Sequence, residues 1–237
     1  RRGTSVGSPT TTVYPTIRNN IAWSRFPPNG GLLSATWYDA HGHVIGSLNL
    51  GPAIARLQRQ QQRALARSAR RPIARALLAN FKLFRLPKNG GGPPLPLSDA
   101  VGYANQQGLG LNVGDVRFVP LAQTERPVNG WPHGIWVVPG TNGLCFEDTQ
   151  GAGTCGSLAG PGSSDNGHLV MTSGGNGVEW ITGVVPDTNH TVTIVLANGK
   201  VKTVPVIDNA FSVEVKGHAV ELISKDASGQ TTTMMLA

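Results

Sequence analysis

The stretch TVTIVLANGKVKTVPV, residues 191–206, leaves the chain little conformational freedom. Two β-branched runs flank Asn198-Gly199, and Asn-Gly between such runs is the strongest short-range signal for a two-residue type I′ hairpin. An isolated hairpin is marginal in water and needs more strands over an apolar face. The rest of the chain offers them: segments 116–121, 134–138, 143–146, 169–172, 178–185, 210–215, 219–224 and 231–236 all read as short strands. Glycine and proline account for 31 and 17 of the 237 residues, and charged residues for only 14%, against about a quarter in an ordinary soluble domain. That balance suits many tight turns and excludes a helical cytosolic enzyme. The expected fold is mainly β: an antiparallel, β-sandwich-like domain with a kinked basic helix, one short helix and a partial β repeat at the N-terminus.

Four segments follow. Residues 1–9 are expected to be disordered, and 10–50 to form the partial β repeat. Residues 51–97 hold the basic helix and a Gly/Pro linker, KNGGGPPLPL. Residues 98–237 form a disulfide-pinned β domain. In the basic helix Ile54, Leu57, Leu65, Ile73, Leu77, Phe81 and Phe84 fall near one stripe, and Pro72 should kink or split it. Ser98-Asp99 reads as an N-cap and Gly108 as a C-terminal stop, so a short helix is predicted over 99–107.

Part of the chain echoes itself. TTTVYPTIRNNIAW, residues 10–23, lies over KVKTVPVIDNAFSV, residues 200–213, so that Pro15, Ile17 and Asn19 meet Pro205, Ile207 and Asn209. With three residues removed, Asp39, Ala40 and Gly42 meet Asp226, Ala227 and Gly229. On this reading 10–50 is the end of one repeat and 98–237 a complete second one, so the chain starts inside a repeat. The alternative is two ordinary hairpins that share turn residues. An incomplete copy exposes strand edges, so it is expected to pair with the second copy's sheet or with another chain.

The two cysteines, Cys145 and Cys155, lie in GLCFEDTQGAGTC, too few for a four-thiolate zinc site. A close pair around a Gly-rich tip reads as a disulfide closing a hairpin-like loop, against the alternative of two free thiols. A disulfide implies an oxidising compartment. No apolar run reaches the roughly 18 residues of a membrane span. The start, RRGTSVGSPTTT, has no initiator Met and no apolar signal core, so the sequence reads as a processed or excised piece.

The formal net charge of +7 is unevenly placed. Residues 1–98 carry +13, with Asp39 their one acid, and residues 99–237 carry −6. Arg56, Arg59, Arg63, Arg67 and Arg70 recur at three- and four-residue spacing, with Arg71 beside them. Such a ridge can track phosphates or anionic lipid heads, or be a solvated face, or one paired with the acidic half.

Other candidate chemistry is weak. Ser5 in GTSVG lacks the strand and helix of a nucleophile elbow. GAGTCG, 151–156, has no following helix to hold a phosphate and reads as a flexible tip. His41 and His43 flank a turn glycine without a third ligand. His168, Asp165 and Ser163-Ser164 suggest a triad only on paper, in a polar loop. Trp23, Trp37, Trp131, Trp136 and Trp180 read as core before they read as a sugar platform.

ALLANFKLFRLP, IWVVPGTNGLCFEDTQGAGTC, ITGVVPDTNHTVTIVLANG, VPVIDNAFSV and KDASGQ occur in that order. Over residues 76–237 the chain thus resembles a loose group of exported actinobacterial proteins without an agreed activity. The resemblance implies export, an anchor upstream and no catalytic residues to carry over. The functional expectation is a non-catalytic cell-envelope structural or protein-interaction module. It would need no cofactor, and its partner would be a protein or a second copy met through the β edge of residues 10–50. The alternative is an anion-binding module whose arginine helix meets a nucleic acid, cell-wall polymer or anionic membrane. A hydrolase with a site made of loops is the distant third.

Overall fold

The computed structural model describes residues 16–18, 21–23, 34–39, 41–88, 92–121, 133–157 and 167–236. The chain divides into two units, Arg1–Gln58 and Arg59–Ala237. In the first, β1 (Thr16–Arg18) pairs with β2 (Ile21–Trp23) and β3 (Ser34–Tyr38) with β4 (Val44–Asn49), both antiparallel. Helix α1 (Gly51–Ser68) follows. Pro52 sits in its first turn, where a missing N–H costs nothing.

The second unit is mainly β. Its helical stretch comprises the rest of α1, then α2 (Arg75–Asn80), a 3₁₀ turn at Lys82–Phe84 and α3 (Leu97–Asn105). Strands β5 (Arg117–Pro120), β6 (Gly134–Pro139), β7 (Gly143–Asp148) and β8 (Gly153–Ser157) form one sheet in chain order. Strands β9 (Leu169–Gly175), β10 (Val178–Val184) and β13 (Ala210–Lys216) form a second, ordered β13-β10-β9. Strands β11 (Thr191–Leu196), β12 (Val201–Pro205), β14 (Ala219–Lys225) and β15 (Thr231–Met235) form a third, ordered β12-β11-β14-β15.

Alternation along the strands builds the cores. Ile181, Val213 and Val215 of the second sheet pack with Val192, Ile194 and Leu222 of the third, sandwich fashion. The central core joins Ile135, Val137, Leu144 and Phe146 of the first sheet to Leu169, Val184 and Ala210 of the second. Between them lie Leu77, Phe81, Leu83 and Phe84, each at most 6% exposed. Burying side chains of this kind contributes about 1.5–3 kcal/mol apiece. The intervening residues Trp136, Val138 and Cys145 face the other side of the first sheet, where Val138 and Cys145 meet Tyr103 of α3. Cys145 and Cys155 are directly opposed across β7 and β8 and form the expected disulfide.

The apolar segment 77–84 is fastened by polar residues over one hundred positions away. Asp208 and Asn209 adopt φ of +44° and +69° in a tight corner bridged by Ile207 and Ala210. Asparagine and aspartate tolerate this left-handed region better than most residues. The buried Asn209 side chain accepts Leu83 N–H at 2.9 Å and donates to Val185 O at 3.1 Å and Asp187 Oδ1 at 2.8 Å. Asp187 also accepts the Lys82 N–H and, at 2.5 Å, the Arg85 guanidinium, while its own N–H donates to Asn80 O at 2.8 Å. Burial opposes ionisation of Asp187, but the Asn209 amide, the Lys82 N–H and Arg85 hold its carboxyl below the ordinary range.

Three hairpins turn on one design. Asp39, Asp148 and Asp226 each accept a hydrogen bond from the N–H two and four residues on, with glycines at +84°, +87° and +87° in third place. The echo between the hairpins at Asp39 and Asp226 therefore extends to their turns, but the turn at Asp148 shows the same design outside the echo. At the upstream corner the copies differ in register: Arg18 pairs with Ile21, whereas Ile207 pairs with Ala210. Pro15 and Asn19 lie outside the described residues, as do 1–9.

Several expectations need correction. The Asn198-Gly199 turn is not type I′: Leu196 N–H bonds to Lys200 O across three loop residues, with positive φ at Gly199 alone. The hydrophobic stripe does not run through the helical segment. The chain leaves the helix between α1 and α2, so Leu57 is exposed while Leu77, Phe81 and Phe84 are core. Pro96, not Ser98, precedes α3; its fixed φ already suits a helix start, and Pro96 O accepts from Asp99 and Ala100. The described part of the Gly/Pro linker is packed: Pro93 is buried and its carbonyl accepts Trp136 Nε1 at 2.8 Å. The GAGTCG tip is largely strand β8, held by its ladder to β7.

Asn209→Ala is expected to destabilise the second unit by roughly 3 kcal/mol, because three partners on two segments, Leu83 on one and Val185 and Asp187 on the other, lose their bonds. Asn209→Gly should lose about 1 kcal/mol less, since glycine accepts the positive φ. Urea unfolding of both variants checks the loss and its order.

Candidate functional site

Helix α1 is anchored on one face and bare on another. Ala64 and Ser68 are its buried residues. Ser68 Oγ donates to Leu111 O at 2.6 Å and accepts Val113 N–H at 3.2 Å. Just past the helix, Ala69 lies so close to Gly114 that a Cβ there would come within 2.7 Å of Ala69 Cβ. Asn112 Nδ2 donates to Arg71 O at 2.6 Å. This fixes the C-terminal half of α1 to the loop before β5.

About 120° round the helix lie Arg59, Arg63 and Arg67, with Arg70 just beyond the last turn; at 100° per residue their positions fall within roughly 80°. All four are exposed. Arg63, Ala66, Arg67 and Arg70 line a shallow groove of about 250 Å³. Among the described residues none of the four pairs with a carboxylate; the lysines and arginines that do are Arg85 with Asp187, and Lys88 and Arg117 with Asp115. Among the described residues, then, no ion pair joins these arginines to the acidic half. Like charges three and four residues apart on a helix each cost a few tenths of a kcal/mol. An anion lying along the face would reverse that sign.

The remaining arginines separate. Arg56 is exposed on the part of α1 belonging to the first unit. Arg71 is not part of the ridge: its guanidinium donates to Gln107 Oε1 at 2.7 Å and Leu111 O at 3.4 Å, so it is a packing residue.

A second concave region sits where the segment after α2 meets the sandwich. Its volume is about 590 Å³, and Asn80, His168, Asp187, Asn189, Asp226 and Gln230 are among its lining residues. Asp226, too, is held below the ordinary carboxylate range, by the Ser228 hydroxyl and then by backbone N–H groups of its turn. Both carboxylates spend their lone pairs on the fold. Sequence reasoning placed His168 in a polar loop; it is in fact 2% exposed and shares a 2.7 Å hydrogen bond through Nε2 with Ser224 Oγ. Serine beside imidazole is a nucleophile–base spacing, but Ser224 is 1% exposed on a central strand, sealed from any substrate. The earlier partners Asp165, Ser163 and Ser164 lie outside the described residues, as does Ser5.

His41 and His43 are solvated turn residues as expected, with His43 Nδ1 3.0 Å from Asp39 Oδ2. Among the described residues no group of three or more His, Cys, Asp or Glu side chains could hold a metal ion, and no helix is long and apolar enough to cross a membrane. Trp136 is core, whereas Trp37 is 47% exposed, against the expectation that strand tryptophans are core. Trp131 and the Trp23 side chain lie outside the described residues.

Tyr103 and Glu147 form a buried pair that sequence reasoning missed, Tyr103 Oη donating to Glu147 Oε2 at 2.9 Å. Burial pushes both groups above their ordinary values, and Asp99 adds to the effect on each. No family model, characterised protein or solved structure matches this chain.

The raised carboxyl of Glu147 has a defined pH signature. The fold favours its protonated form, so its contribution is fully present below the unfolded value and is lost as pH rises through the folded one. Glu147→Gln, which keeps an acceptor for Tyr103, is expected to raise the melting temperature near pH 7.5 by roughly 2–4 °C. The gain should vanish near about pH 4. Melting curves of the two proteins across that range check it.

Proposed function

We propose that this chain is a non-catalytic, extracytoplasmic binding module whose β body holds a basic helical face against an extended polyanion. One observation carries the reading: Arg59, Arg63, Arg67 and Arg70 share an exposed face without a carboxylate partner among the described residues. The anchoring of the opposite face through Ser68 supports it, because a preorganised cation row loses less entropy on binding.

The ligand chemistry follows from what flanks the ridge. Gln60 and Gln62 flank it, both exposed. They offer no apolar edge to sink into a bilayer and no aromatic ring on which a base could stack. Recognition on this face is electrostatic, through phosphate, sulfate or carboxylate groups repeated along a polymer or a headgroup surface. The disulfide favours an oxidising compartment, so a cell-envelope polymer suits the site better than intracellular nucleic acid.

The test uses the full chain against heparin, duplex DNA and vesicles of acidic lipid across a salt series. Binding should weaken steeply with salt, on DNA with a log–log slope of about −3 to −4 for four phosphate contacts. Arg59→Gln, Arg63→Gln, Arg67→Gln and Arg70→Gln together should abolish it while leaving the melting temperature unchanged or slightly raised. A marked fall in melting temperature would make the arginines structural. Wild-type binding to none of the three probes at moderate salt would overturn the reading.

A further inference from the structure

The three Asp-x-x-Gly hairpins differ in what covers them. In the hairpin of β7 and β8 the outer edge of the leading strand β7 is taken by antiparallel β6. In that of β14 and β15 the leading strand β14 is taken by antiparallel β11. Each thereby sits in a four-stranded sheet. The hairpin of β3 and β4 has the same turn, yet among the described residues β3 has no second neighbour and the sheet stops at two strands. Two-stranded sheets are marginal alone.

This hairpin also gathers more exposed apolar surface than the other two, where among the described residues Met235 of β15 is the large apolar side chain left exposed. Trp37 lies over Gly46, the ring 3.3 Å from where a Cβ would stand, and shares a face with Leu48. Trp37, Tyr38, Val44, Ile45 and Leu48 are between 41% and 69% exposed. The leading strand, SATWY, has no charge, proline or glycine. Lysine and proline keep an edge strand free, as Lys202 and Pro205 do on β12 of the third sheet; β15, like β3, has neither.

We infer that β3 is a self-association edge, occupied by β3 of a second copy of this chain in antiparallel pairing. The third sheet supplies the pattern, because its order β12-β11-β14-β15 is two hairpins joined through their leading strands. Two copies paired through β3 give the same order, β4-β3-β3-β4, with a two-fold axis across the central pair. That contact is isologous and closes at a dimer. An uncharged strand facing itself meets no like-charge conflict, and the exposed apolar face becomes part of one four-stranded surface.

Full overlap of two five-residue strands sets Thr36 opposite Thr36 of the second copy. Sedimentation of the full chain from about 1 to about 100 µM should show a monomer–dimer equilibrium. Thr36→Glu alone and Thr36→Lys alone should each weaken it roughly five-fold or more, since like charges then face each other. Mixing the two variants should restore association. A chain that stays monomeric throughout would overturn the inference. So would a dimer indifferent to both substitutions, or one lost with Thr233→Glu on the other uncharged edge, β15.

Discussion

The hydrogen-bonded lock between Asn209, Asp187 and the backbone of residues 80–83 is the constraint on which the second unit depends. The segment it holds has little helix of its own: six residues of α2 and a single 3₁₀ turn. So short a helix does not persist in water. Its order comes from two sources acting together, burial of Leu77, Phe81, Leu83 and Phe84 and satisfaction of the N–H and C=O groups that the broken helix leaves open. Removing either exposes the other to water. Among the described residues the same segment is the helical contribution to the central core, so the first sheet and the sandwich share one interior through it.

From that lock the position of the basic face follows. The central core fixes α2, and Ala74 N–H bonds to Gly140 O at 2.9 Å at the end of β6. Ser68 and Asn112 then hold the chain where α1 ends. With its C-terminal half pinned along one side, α1 cannot roll its arginines inward toward the acidic residues of the β body. The charge asymmetry between the two halves of the sequence is thus only partly neutralised inside the fold. Arg85 and Lys88 of the first half take acidic partners in the second, and the row from Arg59 to Arg70 is exposed. Long-range attraction within one molecule would have predicted the opposite, but packing at short range decides, since side-chain burial is worth more than a screened surface ion pair.

The sequence showed its local devices and concealed its distant ones. Hairpins were legible because alternation and turn residues act within ten positions, and the Cys145–Cys155 bond because it spans one such hairpin. β8 was missed because Gly153 and Gly156 look like a tip when no partner strand is in view. The helix stripe failed at the point where 3.6-residue spacing stops applying, once the backbone leaves α1. The arginine spacing within α1 was readable, but not that Arg71 turns away to Gln107. Asn209 and Asp187 could be seen as turn formers. Their grip on residues over one hundred positions away could not, and neither could the contact of His168 with Ser224, because no periodicity reports a non-local hydrogen bond.

Within each unit, the distribution of unmet surface chemistry is uneven in a way that bears on function. In the second unit the exposed large apolar residues, such as Leu78, Leu97 and Val201, are scattered, as on any soluble surface. Arg59, Arg63, Arg67 and Arg70 form a row along α1, whereas Arg75, Lys82, Lys200, Lys216 and Lys225 are exposed singly elsewhere. Among the described residues of the first unit, the exposed large apolar side chains are those of the β3–β4 hairpin and Leu57 of α1. A cation row and a sheet edge left open add nothing to the hydrogen-bonded lock, Asx turns and disulfide that hold the fold. Both carry a cost, helical repulsion in one case and a marginal ladder in the other. Each cost is one that a bound anion or a paired strand would relieve.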